Sequence, residues 1–558
     1  MKRRAPWVIL GLFFGVLFML TACAGKSDNN GDDDQADDDI APIDDDNQPA
    51  DDDLDDDVDD DLDDDTVVDD DTTPDDDTTP DDDTTPDDDT TVDDDTTVDD
   101  DTVLPDDYVA PWPQSNVHPR DYDETSDPGP LRLKVEGFDA WHLAHHQPYH
   151  HGTVDVQFTD DTYTTVQGYG GWGDSCIWSG TYLASQAMRY WVTGEQEAKD
   201  NAMRIVATLD GFLHVTGRPG FIARYWGSQD SLMYQGDAWC DDPSNDRCHH
   251  WEDGPYAGDF WWGETSRDQY TGWFFGMALA YDLVDDGPTK QMISDDVSEV
   301  LDELMNNNWW IIDEGGQPTD AAPNILSPMR MTWLTIGYHM TGADRFKTEL
   351  QKWLRDSQRV DLRLSSVSFI NRYAQYYGNN LAHTNWFNLL RLGKVYFSPD
   401  DYAFLLDLFN SEVHTFTRLS HNPWFEGVYM NFADYQPAGA SDPYLDQVVQ
   451  DLTDFPTAPN FNYYLPERTD YTLDQFSQLM YNLEQQFPWL ADLIGGIDPQ
   501  ALDAFPIPEQ CSAGFAFQKN PFQFTECGVD DPTDVNPGVD YLIAYWLGSY
   551  GKFITKDQ

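Results

Sequence analysis

The stretch from Gly171 to Gly194 constrains the fold of this chain more than any other. Its sequence, GWGDSCIWSGTYLASQAMRYWVTG, places apolar side chains close to a 3.6-residue period and so predicts an amphipathic helix. Asp174 or Ser175 supplies the N-cap, and Gly194 ends the helix. A second helix is predicted to follow at once, from Glu195 to about His214. Together the two helices predict a helical hairpin with a very short turn.

The same hairpin pattern returns further along the chain. Its turns at Gly287, Gly342 and Ser398 lie about 55 residues apart, and such a period is typical of stacked supersecondary units. The three later hairpins are predicted from Ser266 to near Ile312, from near Asn324 to Leu354, and from near Asn380 to Phe416. Further helical stretches are predicted at Phe425–Phe432, Thr472–Phe487 and Tyr541–Phe553.

Over roughly residues 170–553, this architecture resembles the six-hairpin (α/α) toroid superfamily of glycoside hydrolases and polysaccharide lyases. The resemblance implies a mainly α fold in which residues 171–558 form an (α/α) toroid. It also implies a cleft at one end of the ring that binds carbohydrate. The region 108–170 is predicted as an irregular segment with short strands, such as Thr153–Phe158, because polar and apolar residues alternate there.

The N-terminus indicates export. Basic residues from Lys2 to Arg4 precede an apolar run from Trp7 to Leu20, which is short for a membrane span. The run ends in Leu20-Thr21-Ala22-Cys23, which resembles the lipobox of bacterial lipoproteins. The resemblance implies a signal peptide over residues 1–22, a lipid on Cys23, and anchoring to the cell envelope, at the outer membrane. The alternative is an ordinary secretory signal with a chance cysteine.

An aspartate-rich segment follows the lipobox. Residues 28–107 contain 42 aspartates and no Lys, Arg or Glu, so residues 23–107 are predicted to be a disordered linker that holds a domain away from a membrane. Of the 105 acidic residues, 63 lie beyond this segment, against 26 of the 30 basic residues. The net charge beyond residue 107 is therefore about −37, which argues against nucleic acid as a partner.

The first turns of the proposed inner helices contain the candidate catalytic residues. Asp174, Asp268 and Glu426 could supply the pair of carboxyl groups that glycoside hydrolysis needs. Asp174 and Asp268 open equivalent helices, so their carboxyl groups are expected at one mouth. The structural alternative is that these acids only cap their helices.

Two other functions stay open. Asn380 and His383, with tyrosines just upstream, resemble the Asn/His clusters of toroid-fold lyases. This resemblance implies a uronate lyase in which His383 or a tyrosine takes the proton. The third hypothesis is a non-catalytic surface lipoprotein that binds glycans.

Aromatic side chains near the candidate acids suit the flat faces of sugar rings. Many of them lie in an insertion at 225–265, which the sequence predicts to be a long loop; such a loop could instead pack its own aromatic side chains. The predicted substrate contacts are Trp172, Trp178, Tyr225, Trp226, Arg267, Tyr270, Asn385 and Trp386.

The cysteines and histidines complete the predictions. Disulfides are expected for Cys240 with Cys248 and for Cys511 with Cys527, which fits an oxidising compartment. Cys176 is then expected to be a buried free thiol. A histidine cluster at 142–151 could hold a metal, but Pro148 interrupts it and favours a polar rim or a substrate-contact cluster. We expect neither a metal nor another cofactor.

Overall fold

The computed structural model describes residues 127–235, 240, 247–373, 375–432, 442–462, 464–487, 499–510, 519–528 and 531–558. All of them belong to the second of two compact units, Thr97–Gln558. The predicted signal peptide, Cys23 and the aspartate-rich linker lie outside the described residues. The described part is mainly helical with a few strands, as predicted. No helix in this part is long and apolar enough to cross a membrane.

Helices make up most of the described chain. Their bounds are α1 Pro130–His145, α2 Ser175–Thr193, α3 Gln196–His214, α4 Leu232–Gln235, α5 Arg267–Leu283, α6 Gly287–Asn306, α7 Ser327–Thr341, α8 Asp344–Leu354, α9 Asp356–Ser366, α10 Phe369–Tyr373, α11 Tyr377–Tyr396, α12 Pro399–Leu408, α13 Pro423–Phe432, α14 Pro443–Asp454, α15 Gln475–Gln486 and α16 Val539–Tyr550.

The predicted hairpins are confirmed as helix pairs. The pairs are α2 with α3, α5 with α6, α7 with α8, and α11 with α12, and the members of each pair contact one another. Gly194 and Gly342 end the first helices of two pairs with φ angles of 70° and 63°. Only glycine adopts this left-handed conformation without strain, which explains why both turns are so short.

The first helices of these pairs also contact one another, and α13 and α16 extend this series of contacts. Helix α2 packs against α5, α5 against α7 and α11, α11 against α7 and α13, α13 against α16, and α16 against α2. Helix α1 packs against α16. Helices α3, α6, α8, α12 and α14 each contact the helix that precedes them. Most of the buried apolar side chains belong to one continuous core.

Backbone contact sets the relation of α2 to α5. A β-carbon added at Gly180 would lie 2.0 Å from the carbonyl oxygen of Gly272, and one at Gly276 would lie 2.4 Å from that of Gly180. A β-carbon at Gly272 would lie 2.4 Å from the Cα of Ile177. Contact positions advance in the same direction in both helices, so α2 and α5 are parallel. Their N-terminal ends therefore lie at the same end of the pair.

A buried polar network joins the other ends of α5, α7 and α11. The carboxylate of Asp282 lies 2.6 Å from His339 Nε2 and accepts a hydrogen bond from Arg391 Nη1. His339 Nδ1 lies 2.8 Å from the Tyr396 hydroxyl. Burial alone would raise the pKa of Asp282, but His339 and Arg391 lower it to about 2. Asp282 is therefore a structural carboxylate that ties three helices together.

The strands form two small antiparallel sheets. In the first, the order is β2-β1-β7-β6, and in the second it is β3-β5-β4. Their bounds are β1 Asp155–Phe158, β2 Val166–Gly170, β3 Tyr225–Ser228, β4 Cys248–His250, β5 Asp259–Trp262, β6 Asn460–Asn462 and β7 Asp531–Asn536. The strand predicted at Thr153–Phe158 is thus confirmed as β1.

Two regions differ from the sequence predictions. The segment predicted as irregular contains α1, which lies among Pro/Gly turns and beside the alternating run of β1. The insertion at 225–265 was predicted as a loop, but its described residues include β3, β4 and β5. Burial alternates along β3, where Tyr225 and Gly227 are buried and Trp226 and Ser228 are half-buried, which is a strand pattern.

Candidate active site

Asp174 and Asp268 lie at the N-terminal ends of the parallel helices α2 and α5. Asp174 occupies the N-cap position of α2, yet its side chain makes no capping hydrogen bond. Its Oδ1 instead accepts a hydrogen bond from Gln269 Nε2 at 2.8 Å. The Oε1 of Gln269 accepts from the Ile177 backbone N–H at 3.0 Å. Gln269 therefore does the capping from the neighbouring helix, and simple capping does not account for Asp174.

Arg224 places a positive charge near the carboxyl groups of Asp174 and Asp268. Its Nη1 lies 3.8 Å from Asp174 Oδ1 and donates to the carbonyl oxygen of Gly173 at 3.0 Å. Its Nε donates to the carbonyl oxygen of Glu264 at 2.8 Å. The guanidinium group is thus fixed by backbone acceptors on both sides. It stabilises negative charge on Asp174 without forming a close ion pair with it.

The protonation of Asp268 differs from that of an ordinary aspartic acid. Burial raises its pKa to about 6, and the neighbouring charge of Asp174 adds to the effect, although Arg267 and Arg224 oppose it. The Asp174 side chain is 45% exposed. Around pH 6 the carboxyl group of Asp268 is therefore still partly protonated, whereas an ordinary exposed aspartic acid is ionised, and the more exposed carboxyl group of Asp174 lies beside it. Acid–base chemistry needs this pair of states.

No protein-family model, curated protein or solved structure matches this chain. The geometry of its own residues is therefore the basis for assigning a function.

The structure separates the predicted substrate contacts into two groups. Trp178, Tyr225, Tyr270, Asn385 and Trp386 are buried in the core. The hydroxyl of Tyr270 donates to the carbonyl oxygen of Gly220 at 2.9 Å, and Asn385 Oδ1 accepts from Trp333 Nε1 at 2.9 Å. These partners give the buried group a packing role, so the prediction that they touch a sugar is not supported by their positions.

The other group, Trp172, Trp226 and Arg267, is only partly buried. Trp172 lies two residues before Asp174 in the sequence, and the centroid of its ring lies 4.7 Å from that of Trp262. Arg267 directly precedes Asp268. Trp172 and Arg267 therefore stay predicted substrate contacts beside the carboxyl pair.

Trp226 has a different environment. Its ring stacks on His150 at 3.8 Å, and its Nε1 donates to Asp259 Oδ2 at 2.8 Å. The Nε2 of His150 lies 3.1 Å from the other oxygen of Asp259. The insertion thus packs some of its own aromatic side chains, as the structural alternative expected.

The polar-rim interpretation is wrong for two of the histidines. His142 and His146 are fully buried, with their Nδ1 atoms 3.0 Å and 2.8 Å from the carbonyl oxygens of Pro537 and Val154. Burial lowers the pKa of His142 to about 4, so its ring is neutral in the folded chain. Both rings are core side chains held by backbone acceptors.

Glu426 and His383 lie in a second, buried cluster. Glu426 Oε1 accepts from the Leu419 backbone N–H, and its Oε2 lies 3.5 Å from His414 Nε2. The ring of His383 stacks on Phe425 at 4.2 Å. Burial raises the pKa of Glu426 to about 8 and lowers that of His383 to about 4, so both side chains are uncharged at neutral pH.

This buried cluster contains polar atoms without hydrogen-bond partners. Both nitrogens of His414, the side-chain amide of Asn379 and Oε2 of Glu426 are buried and make no hydrogen bond in the described part of the chain. His414 did not stand out in the sequence, because no motif surrounds it. Unpartnered buried polar atoms are costly, so this cluster is suited to hold a polar ligand or water.

The cysteine predictions are confirmed as far as the described residues reach. Cys240 and Cys248 form a disulfide, and Cys176 is a buried free thiol whose pKa burial raises far above its usual range. Cys527 is disulfide-bonded, but Cys511 lies outside the described residues. The pairing of Cys511 with Cys527 stays a prediction.

Proposed function

We propose that this chain is a carbohydrate-active hydrolase in which Asp268 is the general acid and Asp174 is the base or nucleophile. The carrying observation is that Asp268 has a pKa of about 6 beside the solvent-accessible carboxylate of Asp174. Glycoside hydrolysis requires one carboxyl group that keeps its proton and one that does not.

The roles of the neighbouring residues follow from their contacts. Asp268 donates its proton to the leaving oxygen of the glycosidic bond. Asp174, oriented by Gln269 and stabilised by Arg224, attacks the anomeric carbon or activates a water molecule. A carboxyl separation of about 5 Å would give a retaining reaction, and one of about 6.5–9.5 Å an inverting reaction.

In the same proposal, α2, α5, α7, α11, α13 and α16 form the inner layer of an (α/α) toroid. Support comes from the helix contacts, which lead from α2 through each neighbour to α16 and back to α2. Parallel inner helices would bring their N-terminal ends to one mouth. Asp174 and Asp268 open two of these helices, at the place where such a ring would bind its substrate.

The cellular setting is part of the proposal. A lipid on Cys23 would anchor the exported chain to the envelope, and the aspartate-rich segment would act as a spacer. An overall formal charge of −75 favours a substrate without strong negative charge, because an acidic surface repels polyanions.

A uronate lyase is the second candidate function. The observation that favours it is the buried cluster of Asn379, His414 and Glu426, which has unpartnered polar atoms in the described part of the chain. These atoms could bind the carboxylate of a uronate and accept the proton that a lyase removes from it. The cluster is closed to solvent, so a polysaccharide could reach it only after the helices around it move. The hydrolase is therefore the first candidate, since solvent reaches Asp174, and Asp268 is only partly buried.

A glycan-library screen with the full chain tests both candidates. A hydrolase releases new reducing ends without ultraviolet absorbance, whereas a uronate lyase gives an unsaturated product that absorbs. We expect reducing ends alone. Unsaturated product would replace the hydrolase with the lyase, and glycan binding without any product would indicate a non-catalytic lipoprotein.

A further inference from the structure

A separate group of metal-ligating side chains lies between α3 and α6. Asp210 and His214 are one turn apart on α3, and Asp296 projects from α6. One potential ligand atom from each residue lies within 4.8 Å of the other two. Nothing in the proposed hydrolysis uses these residues.

Asp296 is the buried member of the group. It is only 5% exposed, and its Oδ2 makes no hydrogen bond in the described part of the chain. A buried carboxylate oxygen without a donor is unfavourable, and a cation is one of the few groups that can compensate it. Asp210 and His214 are partly exposed, so an ion can enter from solvent.

We propose that Asp210, His214 and Asp296 bind one divalent transition-metal ion, with Zn²⁺ as the best fit. The donor set of one imidazole and two carboxylates suits Zn²⁺, whereas Ca²⁺ takes six to eight oxygen ligands. Tetrahedral Zn²⁺ with bonds of about 2.0–2.1 Å separates its ligands by about 3.3 Å. A ligand pair at the 4.8 Å limit would contract by at most about 1.5 Å, shared between two side chains.

The position of the group gives the ion a structural role. Asp210 and His214 lie in the last turns of α3, and Trp251 of the insertion donates from its Nε1 to the carbonyl oxygen of Val215 at 2.7 Å. Trp226 packs directly on Gly211 of the same helix. A bound ion would thus join the outer helices of two hairpins beneath the insertion.

A Zn²⁺ titration of the chelator-treated full chain tests the proposal. The titration is carried out with excess Mg²⁺, because the carboxylates of the aspartate-rich segment would otherwise bind Zn²⁺ weakly. We expect one Zn²⁺ per chain, a rise in Tm on binding, and at least a tenfold loss of affinity in His214→Gln and in Asp296→Asn. The matched controls are Asp295→Asn, an exposed neighbour on α6, and His250→Gln, a histidine of the insertion that pairs with Glu252; both should bind like the wild type.

Equal Zn²⁺ affinity in all variants would overturn the site, as would no saturable binding in the wild type. If the two ligand variants fail to fold, Co²⁺ replaces Zn²⁺ in the wild type. A visible absorption band of four- or five-coordinate Co²⁺ supports the site, and a spectrum of octahedral Co²⁺ alone refutes it.

Discussion

Asp268 is the residue in which burial and a neighbouring charge change the chemistry most clearly. Its carboxyl group lies among protein atoms at the start of α5, near Asp174 and two arginines. Either arginine alone would favour the ionised form, but burial outweighs both. The group is therefore poised to donate a proton near neutral pH.

The interaction between the two carboxyl groups can be measured without a substrate. Removing the charge of Asp174 removes one of the causes that raise the pKa of Asp268, so Asp174→Asn should lower that pKa below about 6. Carboxyl carbon shifts followed by NMR over a pH titration measure the change. Asp302→Asn, at a surface ion pair with Arg345, is the control and should leave the Asp268 titration unchanged. An unchanged titration in Asp174→Asn would show that the carboxyl groups do not interact.

Asp282 is expected to contribute much more to stability than a surface carboxylate. Asp282→Asn would leave Arg391 without its buried counter-charge, and such a loss costs about 3–5 kcal/mol. Chemical denaturation should detect this decrease in the free energy of unfolding, whereas Asp302→Asn should cost less than about 1 kcal/mol. Similar small effects of both changes would contradict a structural role for Asp282.

The pH dependence of this contribution follows from the pKa of Asp282. Its folded value of about 2 lies below the unfolded value of about 3.9. The contribution is therefore fully present above the unfolded pKa and is lost as the pH falls towards 2. Asp282→Asn should accordingly remove part of the stability change that the wild type shows between pH 4 and pH 2.

Among the elements, α2 and α5 depend on glycine for their close approach. Gly180→Ala would place a methyl group 2.0 Å from a backbone oxygen of α5, so the helices must separate, at a cost of about 1–3 kcal/mol or more. The control is Gly137→Ala inside α1, where no atom lies within 4 Å of an added β-carbon. That change should stabilise the chain by up to about 1 kcal/mol. Equal effects in denaturation experiments would contradict the close packing.

Hairpins could be predicted from the sequence because their signals are local. The apolar period of α2 and the glycines that end α2 and α7 lie within single segments. Helix α1 was not predicted because it lies among prolines, glycines and an alternating run, although its own helical pattern is no weaker than those of α5 and α7. It is buried through tertiary contacts with α16 and α14.

The candidate site shows the same limit. Asp174 and Asp268 could be chosen from their places at helix starts. The roles of Gln269 and Arg224 depend on two helices and a strand meeting in space, which no local pattern records. Burial of Tyr270 was equally hidden, since an aromatic residue near a helix start fits both a core and a binding surface, and Trp386 lies mid-helix because α11 begins earlier than the predicted start near Asn380.

At the scale of the whole molecule, most of the described helices share one continuous core, and the first helix contacts the last. Such a core should unfold cooperatively. Calorimetry of the chain should therefore show a single transition for the globular part, with a calorimetric enthalpy equal to the van't Hoff enthalpy. Two well-separated transitions would contradict one shared core.

The most direct test of the proposed function is turnover by Asp268→Asn and Asp174→Asn on the glycan that the library screen identifies. Asparagine keeps the size of each side chain but removes its acid–base function. Each change should lower kcat by about 10²–10⁴-fold, while far-ultraviolet circular dichroism and glycan affinity remain those of the wild type. Full activity of both folded variants would contradict the assignment of this carboxyl pair as the catalytic site.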